Sequence, residues 1–240
     1  MQLYLIRHGQ SANNAIDVAD EPAFRLLRHH DPELTDLGHE QAARLAEYLA
    51  GGNAHDRQFA ITHLYTSPMR RALATTRPIA EALGLTPQVW VDIHEAGGMF
   101  LDQEDGTVVG YPGIGRAEVA ALYPGWVLPP ELTDEGWWAP ERGEETRPES
   151  FERARRVAGE LLALWRAEPE ASVALVSHGA FLDRLIRMLI GHAPTSMEDY
   201  HLAYVHHNTG LSRINLTERW GIHIHWLNRV EHLPEGMLSW

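Results

Sequence analysis

Short, wholly apolar runs separated by helix-length amphipathic stretches constrain this chain more than any other feature. Leu3 to Arg7 is apolar until its last residue, and Ser172 to Ser177 encloses Val-Ala-Leu-Val. A strand apolar on both faces must be covered on both faces, which is the condition of a parallel sheet packed between helices. Helical patterns fill the intervals. Thr35 stands where a cap belongs, and Leu37, Ala42, Leu45 and Leu49 form a stripe that ends at Gly51-Gly52. Ile61 to Thr66 reads as a second strand. Ser67 is then a plausible cap and Pro68 a first helical residue, with a helix running to Leu83 and stopping at Gly84. Gln88 to Ile93 reads as a third strand, Glu149 to Ala167 and Ala180 to Ile190 as helices. From Tyr200 the chain is β-rich, with alternation over Leu211 to Leu216 and Ile222 to Leu227. The expected fold is an α/β three-layer sandwich with a mainly parallel central sheet.

Two stretches break the rhythm. Residues 15 to 34 are mixed and polar, a loop with some helical turns. Residues 96 to 148 are rich in Gly, Pro and Trp and include Trp126, Trp137 and Trp138. Three tryptophans argue against disorder, so this segment reads as an ordered, lid-like insertion in a single domain spanning 1–240.

Composition closes several routes. The 240 residues include no cysteine, which excludes disulfides, thiolate metal sites and cysteine nucleophiles. Every one of the 20 basic side chains is arginine. Without lysine there is neither a Walker-type phosphate loop nor Schiff-base chemistry. The net charge of −13 argues against a nucleic-acid partner. No segment approaches the roughly 20 apolar residues of a membrane span, and Met1 to Ile6 lacks the pattern of a signal peptide, so a cytoplasmic protein is expected.

In open α/β sheets ligands bind beyond the carboxyl ends of the strands. Arg7-His8-Gly9 follows the first run, Ser67 with Arg70 and Arg71 the second, and Ser177-His178-Gly179 the last, while Glu95 lies just past the third. A lone His-Gly after a strand is ordinarily a turn, and paired arginines near a helix start are ordinarily solvated. Convergence on one sheet edge changes that reading. Guanidinium groups suit the non-bridging oxygens of a phosphoryl group, and their positive field favours neutral, nucleophilic imidazole. A carboxylic acid such as Glu95 can protonate a leaving alkoxide and later serve as base toward water. Such chemistry calls for no metal and no cofactor.

Arg7-His8-Gly9-Gln10-Ser11 with Asn14 resembles the opening motif of the histidine phosphatase superfamily, to which cofactor-dependent phosphoglycerate mutase belongs. The resemblance continues through Leu34-Thr35-Asp36-Leu37-Gly38 with Gln41-Ala42, Ser67-Pro68-Met69-Arg70-Arg71-Ala72 with Thr75, Glu95, and Ser177-His178-Gly179. It implies that His8 is the phosphorylated nucleophile and that Arg7, Arg71 and His178 complete the phosphate pocket. Arg71 fits better than Arg70, because an alanine follows it and a threonine stands four residues beyond. Asn14, Ser11 and Gly179 are implied as further phosphate or substrate contacts. Glu95 matches the proton donor by position, with Asp92, Glu104 and Asp105 as alternatives.

Rival readings are weaker. His29-His30, His206-His207 and the His223/His225 pair lack companion ligands at metal-binding spacing. No Gly-x-Ser-x-Gly elbow supports a serine hydrolase. A non-catalytic phospho-ligand binder of the same fold would be marked by loss of His8 or His178, and both are present. Between phosphatase and mutase, the segment after Glu95 decides. Gly110-Tyr111-Pro112-Gly113-Ile114-Gly115-Arg116, followed by only Arg142 and Arg147, departs from the arginine-rich stretch of the mutases. The expectation is a phosphatase for a small organic phosphomonoester, its pocket walled by the insertion's tryptophans. Trp220, Trp226 and Trp240 either join two copies into a homodimer or cap the core.

Overall fold

The computed structural model describes residues 1–16, 21–51, 59–193 and 203–240. Strands β1 (Gln2–Arg7), β2 (His63–Thr66), β3 (Gln88–Val89), β4 (Phe100–Asp102), β5 (Val108–Gly110), β6 (Ser172–Ser177), β7 (Leu211–Thr217) and β8 (Gly221–Arg229) alternate with helices. The helices are α1 (Glu21–Leu27), α2 (Asp36–Gly51), α3 (Arg70–Leu83), α4 (Arg116–Leu122), α5 (Arg147–Ala167) and α6 (Gly179–Leu189). Six strands form one sheet in the order β3-β2-β6-β1-β7-β8, and β4 pairs with β5 apart from it. The pairings from β3 to β1 are parallel, those of β7 antiparallel.

Side-chain alternation along the central strands explains the layers. Leu3, Leu5, Val173 and Leu175 face one way and pack with Ala154, Val157 and Leu161 of α5 and Phe181, Leu182 and Leu185 of α6. Tyr4, Ile6, Ala174 and Val176 face the other way and pack with Leu45 and Leu49 of α2 and Ala72 and Ile79 of α3. The expected sandwich with a mainly parallel sheet is what the chain forms.

Local details depart from the sequence reading. The third strand stops at Val89, and Val91–Ile93 form a 3-10 turn. Helix α3 starts at Arg70 and not at Pro68; Met69 occupies the cap position without a side-chain bond, and the Ser67 hydroxyl accepts from the Met69 amide at 3.3 Å while bonding His178. Helix α5 starts at Arg147, two residues before the expected Glu149. Thr146 and Glu149 form a reciprocal capping box there. Residues 96 to 148 are ordered by a cluster in which Met99, Ile114, Val119, Leu132, Trp137 and Trp138 pack on Met69, Leu73 and Val89. The roots of this segment meet, since Glu145 donates its backbone N–H to the Gly97 carbonyl at 2.8 Å. Trp226 is half-buried against Tyr4, whereas Trp220 and Trp240 are exposed. Gly52 and Tyr200, singled out above as a helix stop and the start of the β-rich end, lie outside the described residues. Among the described residues no helix is long and apolar enough to cross a membrane.

The loop after β1 lies against the first turn of α2 at backbone contact. A Cβ on Gly9 would meet the Gly38 carbonyl oxygen at 2.4 Å, and one on Gly38 would meet that of Gln10 at 2.0 Å. Neither obstacle is a movable side chain. Gly38→Ala is therefore expected to cost about 2–3 kcal/mol in urea unfolding. Gly159→Ala, on an exposed and unobstructed site in α5, should stabilise by about 0.5–1 kcal/mol. Equal effects of the two substitutions would refute the packing argument.

Candidate active site

Arg7 and Ser177 are register partners on adjacent parallel strands, so His8 and His178 leave the sheet side by side. The His8 amide donates to the Ser177 carbonyl at 3.0 Å, and the two imidazoles lie 5.0 Å apart. His8 is fixed at both nitrogens. Its Nδ1 lies 2.6 Å from the Gly9 carbonyl, which can only accept, so Nδ1 carries the proton. The Arg71 Nε donates to His8 Nε2 at 3.1 Å. The lone pair therefore sits on Nε2, beside a cation. Thr75 supports this arrangement by accepting from the Gly9 amide at 3.0 Å. Burial, then the charges of Arg71 and Arg7, hold the His8 pKa well below its ordinary value, so the ring is neutral.

A cavity of ≈ 230 Å³ opens over His8 and is lined by Arg7, Arg28, Arg71, Asn14, Ser11 and Glu95 among others. Three guanidinium groups thus face one small space. Arg7 Nη1 donates to the His206 carbonyl at 2.5 Å, while its Nε is buried without a partner beside Gly179. Burial pushes the Arg7 guanidinium down to about 10, against the opposing charge of Glu95. Arg28 donates to the Phe100 carbonyl at 2.7 Å and lies 4.2 Å over the Phe100 ring, its Nε also unpartnered. His178 is fully buried behind the cavity, bonded through Nε2 to the Ser67 hydroxyl at 2.8 Å, and its Nδ1 has no partner. The open Nε donors of Arg7 and Arg28, two side chains that line this cavity, mark where an oxyanion fits.

Asn14 presents its carbonyl inward, accepting from the Ser11 amide at 3.1 Å and the Ser11 hydroxyl at 2.8 Å. Ser11 therefore orients Asn14, which is a role the sequence did not assign. Gly179 opens α6 and lines a neighbouring cavity, not the one over His8. Glu95 Oε1 accepts from the Ala96 and Phe181 amides at 2.8 and 3.0 Å, and its side chain lines both cavities. The alternative acids lie elsewhere: Glu104 and Asp105 are exposed on the β4–β5 turn, and Asp92 faces Arg156 at 3.4 Å. Arg70 points to Glu33 and Glu118 and takes no part in the cavity. Among the described residues no three His, Asp or Glu side chains gather as a metal site.

The expected tryptophan walls are absent among the described lining residues. Trp137 and Trp138 serve the core of their own segment, and the cavity takes its outer wall from Phe24, Arg28, His29 and His30. Arg25 ties this wall down through a two-pronged pair with Asp102 at 2.7 and 2.8 Å. Sequence reasoning also missed Asp31, buried beside Arg71 and pushed up to about 6 by desolvation. It sits in a stretch with no periodic pattern. Arg153 was missed as well. Its guanidinium pairs with buried Glu145 at 2.6 Å and donates to the carbonyls of Asp92 and His94 at 2.7 and 2.9 Å, clamping the turn that carries Glu95. Only the polarity of Arg153 on an otherwise apolar helix face hinted at this.

Arg153→Gln would strand a buried carboxylate and is expected to cost about 3–5 kcal/mol, with part recovered in the Arg153→Gln/Glu145→Gln double variant. Stability should also fall in acid. His206 is held down to about 4 by burial, and His8, His94 and His178 are depressed in the same direction. Below pH 6.5 the unfolded chain then binds more protons than the folded one, so stability present above that pH is lost as pH falls. Each such histidine approaches about 1.4 kcal/mol per pH unit. Asp31 opposes the trend only between 3.8 and about 6, where its raised pKa favours the folded state at the acid end. Urea midpoints at pH 7 and 5.5 should show the loss, and His206→Gln should reduce it.

Comparison with known proteins places this geometry. Residues 3–229 match the histidine phosphatase superfamily (branch 1). A glucosyl-3-phosphoglycerate phosphatase of Mycolicibacterium vanbaalenii is 30% identical over 195 residues, covering 79% of this chain and 74% of that protein. A probable phosphoglycerate mutase of Yersinia pestis is 35% identical, but over 86 residues, 36% of this chain and 34% of that one. Among solved structures, a mycobacterial glucosyl-3-phosphoglycerate phosphatase complexed with VO3 aligns at TM-score 0.58 and 23% identity, covering 95% and 99% of the two chains. The Entamoeba histolytica phosphoserine phosphatase in complex with 3-phosphoglyceric acid aligns at 0.59 and 20%, covering 97% and 99%. At those identities the structures speak for the fold. The chain belongs to the histidine phosphatase superfamily, branch 1.

Proposed function

We propose that the protein is a phosphatase that hydrolyses a small organic phosphomonoester through a phosphohistidine on His8. The observation that carries this reading is the state of His8: Nδ1–H is committed to the Gly9 carbonyl, and the Nε2 lone pair lies within reach of the Arg71 guanidinium. In the reaction Nε2 attacks phosphorus and the bond to the leaving oxygen breaks. Arg7, Arg28 and Arg71 hold the non-bridging oxygens as charge shifts onto them, with His178 Nδ1 and the Asn14 amide as further donors. Glu95 in its acid form protonates the leaving oxygen. Its carboxylate then takes a proton from water, the water oxygen bonds to phosphorus, the P–N bond breaks, and phosphate departs. No metal ion is needed on this route. A cytoplasmic site of action suits a small phosphorylated metabolite and a chain without cysteine.

Water is favoured over a second substrate as acceptor. The phosphatase relative covers 79% of this chain, the mutase relative 36%. Two of the arginines after Glu95 are also occupied structurally. Arg116 donates to the Leu128, Pro129 and Leu132 carbonyls, and Arg142 stacks 4.2 Å over Trp138.

Brief incubation with labelled phosphoester should leave acid-labile, base-stable label on the wild type and none on His8→Ala; acid-stable label would implicate a hydroxyl. Glu95→Gln should slow alkyl phosphates about 10²–10⁴-fold and p-nitrophenyl phosphate far less. Equal losses on both would remove Glu95 as proton donor. With 3-phosphoglycerate, phosphate release should outpace isomerisation.

A further inference from the structure

Two buried amide side chains bracket the loop that follows β1, and neither lines the cavity over His8. They are Gln41 on α2 and Asn208 just ahead of β7. A side-chain amide can be turned end for end, so its direction has to be read from partners whose role is fixed. The Gln10 backbone N–H can only donate, and it lies 2.8 Å from Gln41 Oε1. Gln41 Nε2 therefore faces the other way, donating to the Met237 carbonyl at 2.7 Å and to the Ser239 hydroxyl at 2.9 Å.

The Ser239 hydroxyl, accepting from Gln41, turns its own proton to Asn208 Oδ1 at 2.9 Å. Asn208 Nδ2 then donates to the His8 carbonyl at 3.1 Å, which can only accept, and to Asn14 Oδ1 at 3.3 Å. Asn14 lines the cavity. With its Oδ1 turned to Ser11 and Asn208, its NH2 group is left for that space. Each link thus sets the donor direction of the next, from a backbone amide on one side of the loop to a side chain at the phosphate.

The Ser11 bonds fix the Asn14 amide only within its own loop. Asn208 ties it to another part of the chain. There the Asn208 amide donates to the Ser239 carbonyl at 3.0 Å, and the Thr209 amide to the His8 carbonyl at 3.2 Å. Thr209 holds a φ of 55°, which is costly for a β-branched residue and persists only where the surroundings over-determine it. We propose that Asn208 is a positioning residue, held by Ser239 and Gln41 so that the Asn14 amide presents its donor to the phosphoryl oxygens. The inference rests on the His8 phosphatase reading and deepens its site. Because the Thr209 amide keeps its own bond to the His8 carbonyl, what Asn208 alone supplies is the direction of Asn14.

A double-mutant cycle on phenyl phosphate turnover tests this. Asn14→Ala should lower kcat/KM about tenfold, as loss of one hydrogen bond to a charged group does, and Asn208→Leu by a similar factor. Asn14→Ala and Asn208→Leu together should lose little more than Asn14→Ala alone. Ser239→Ala should lower turnover less, about threefold, and add nothing once Asn208 is replaced by leucine. A merely structural defect would multiply with Asn14→Ala. Losses that multiply overturn the inference, as does wild-type turnover in Asn14→Ala. A second readout does not pass through turnover: inorganic phosphate should move the Asn14 side-chain amide resonances of the wild type, and several-fold less those of Asn208→Leu. Equal movement in the two proteins also overturns the inference. Should that amide response hold while His8→Ala turns over phenyl phosphate like the wild type, the orientation of Asn14 by Asn208 would stand and the phosphatase reading would fall.

Discussion

The register of β1 against β6 sets everything at the working end of the sheet. Arg7 opposite Ser177 means that each strand releases a histidine at the same height, 5.0 Å ring to ring. A slip by one residue would turn every side chain of β1 to the opposite layer, exchanging Leu5 for Ile6 between two filled cores. The cores therefore hold the register, and the register holds the chemistry. The histidine pair is positioned by apolar residues that never touch it.

The electrostatics run against the character of the whole chain. A protein of net charge −13 gathers Arg7, Arg28 and Arg71 around one cavity, Arg71 buried and the other two half-buried. Burial drives their pKa values down, yet a guanidinium pushed to about 10 is still charged at neutral pH. A lysine ammonium starts lower and would be brought toward neutrality by a comparable shift. The absence of lysine is thus compatible with a site that must stay cationic when dry. Burial and the same positive charges push the imidazoles down as well, and because these start near 6.5 the shift leaves His8 neutral.

How much of this could be read from the sequence depended on the range of the signal. The apolar runs at Leu3–Ile6 and Val173–Val176 made the central strands and their ends plain, because burial on both faces leaves no other composition. Residues following those ends, His8 and His178, were found with them. Gln88 to Ile93 alternated well enough to suggest a longer strand, but Trp90 turns into a 3-10 segment that carries the chain toward Glu95. Ser67 had the look of a helix cap, and only the position of His178, 111 residues away, shows where its hydroxyl goes. The tryptophans were legible as ordered and misread as a pocket wall, since packing partners such as Met69 and Leu73 come from another part of the chain. Asp31 carries no local pattern, and Arg153 only its polarity on a helix face. Their meaning lies in neighbours that folding supplies.

The meeting of Gly97 with Glu145 makes the long segment between them a closed loop with a fixed neck. Arg153 fastens that neck to the turn bearing Glu95. What hangs beyond the neck can change in length or content without pulling on Glu95, provided it still covers Met69, Leu73 and Val89 and keeps Phe100 and Asp102 against Arg28 and Arg25. The segment behaves as an exchangeable cassette. Descendants of such a chain can redraw the outer part of the segment while inheriting the neck and the sheet edge unchanged.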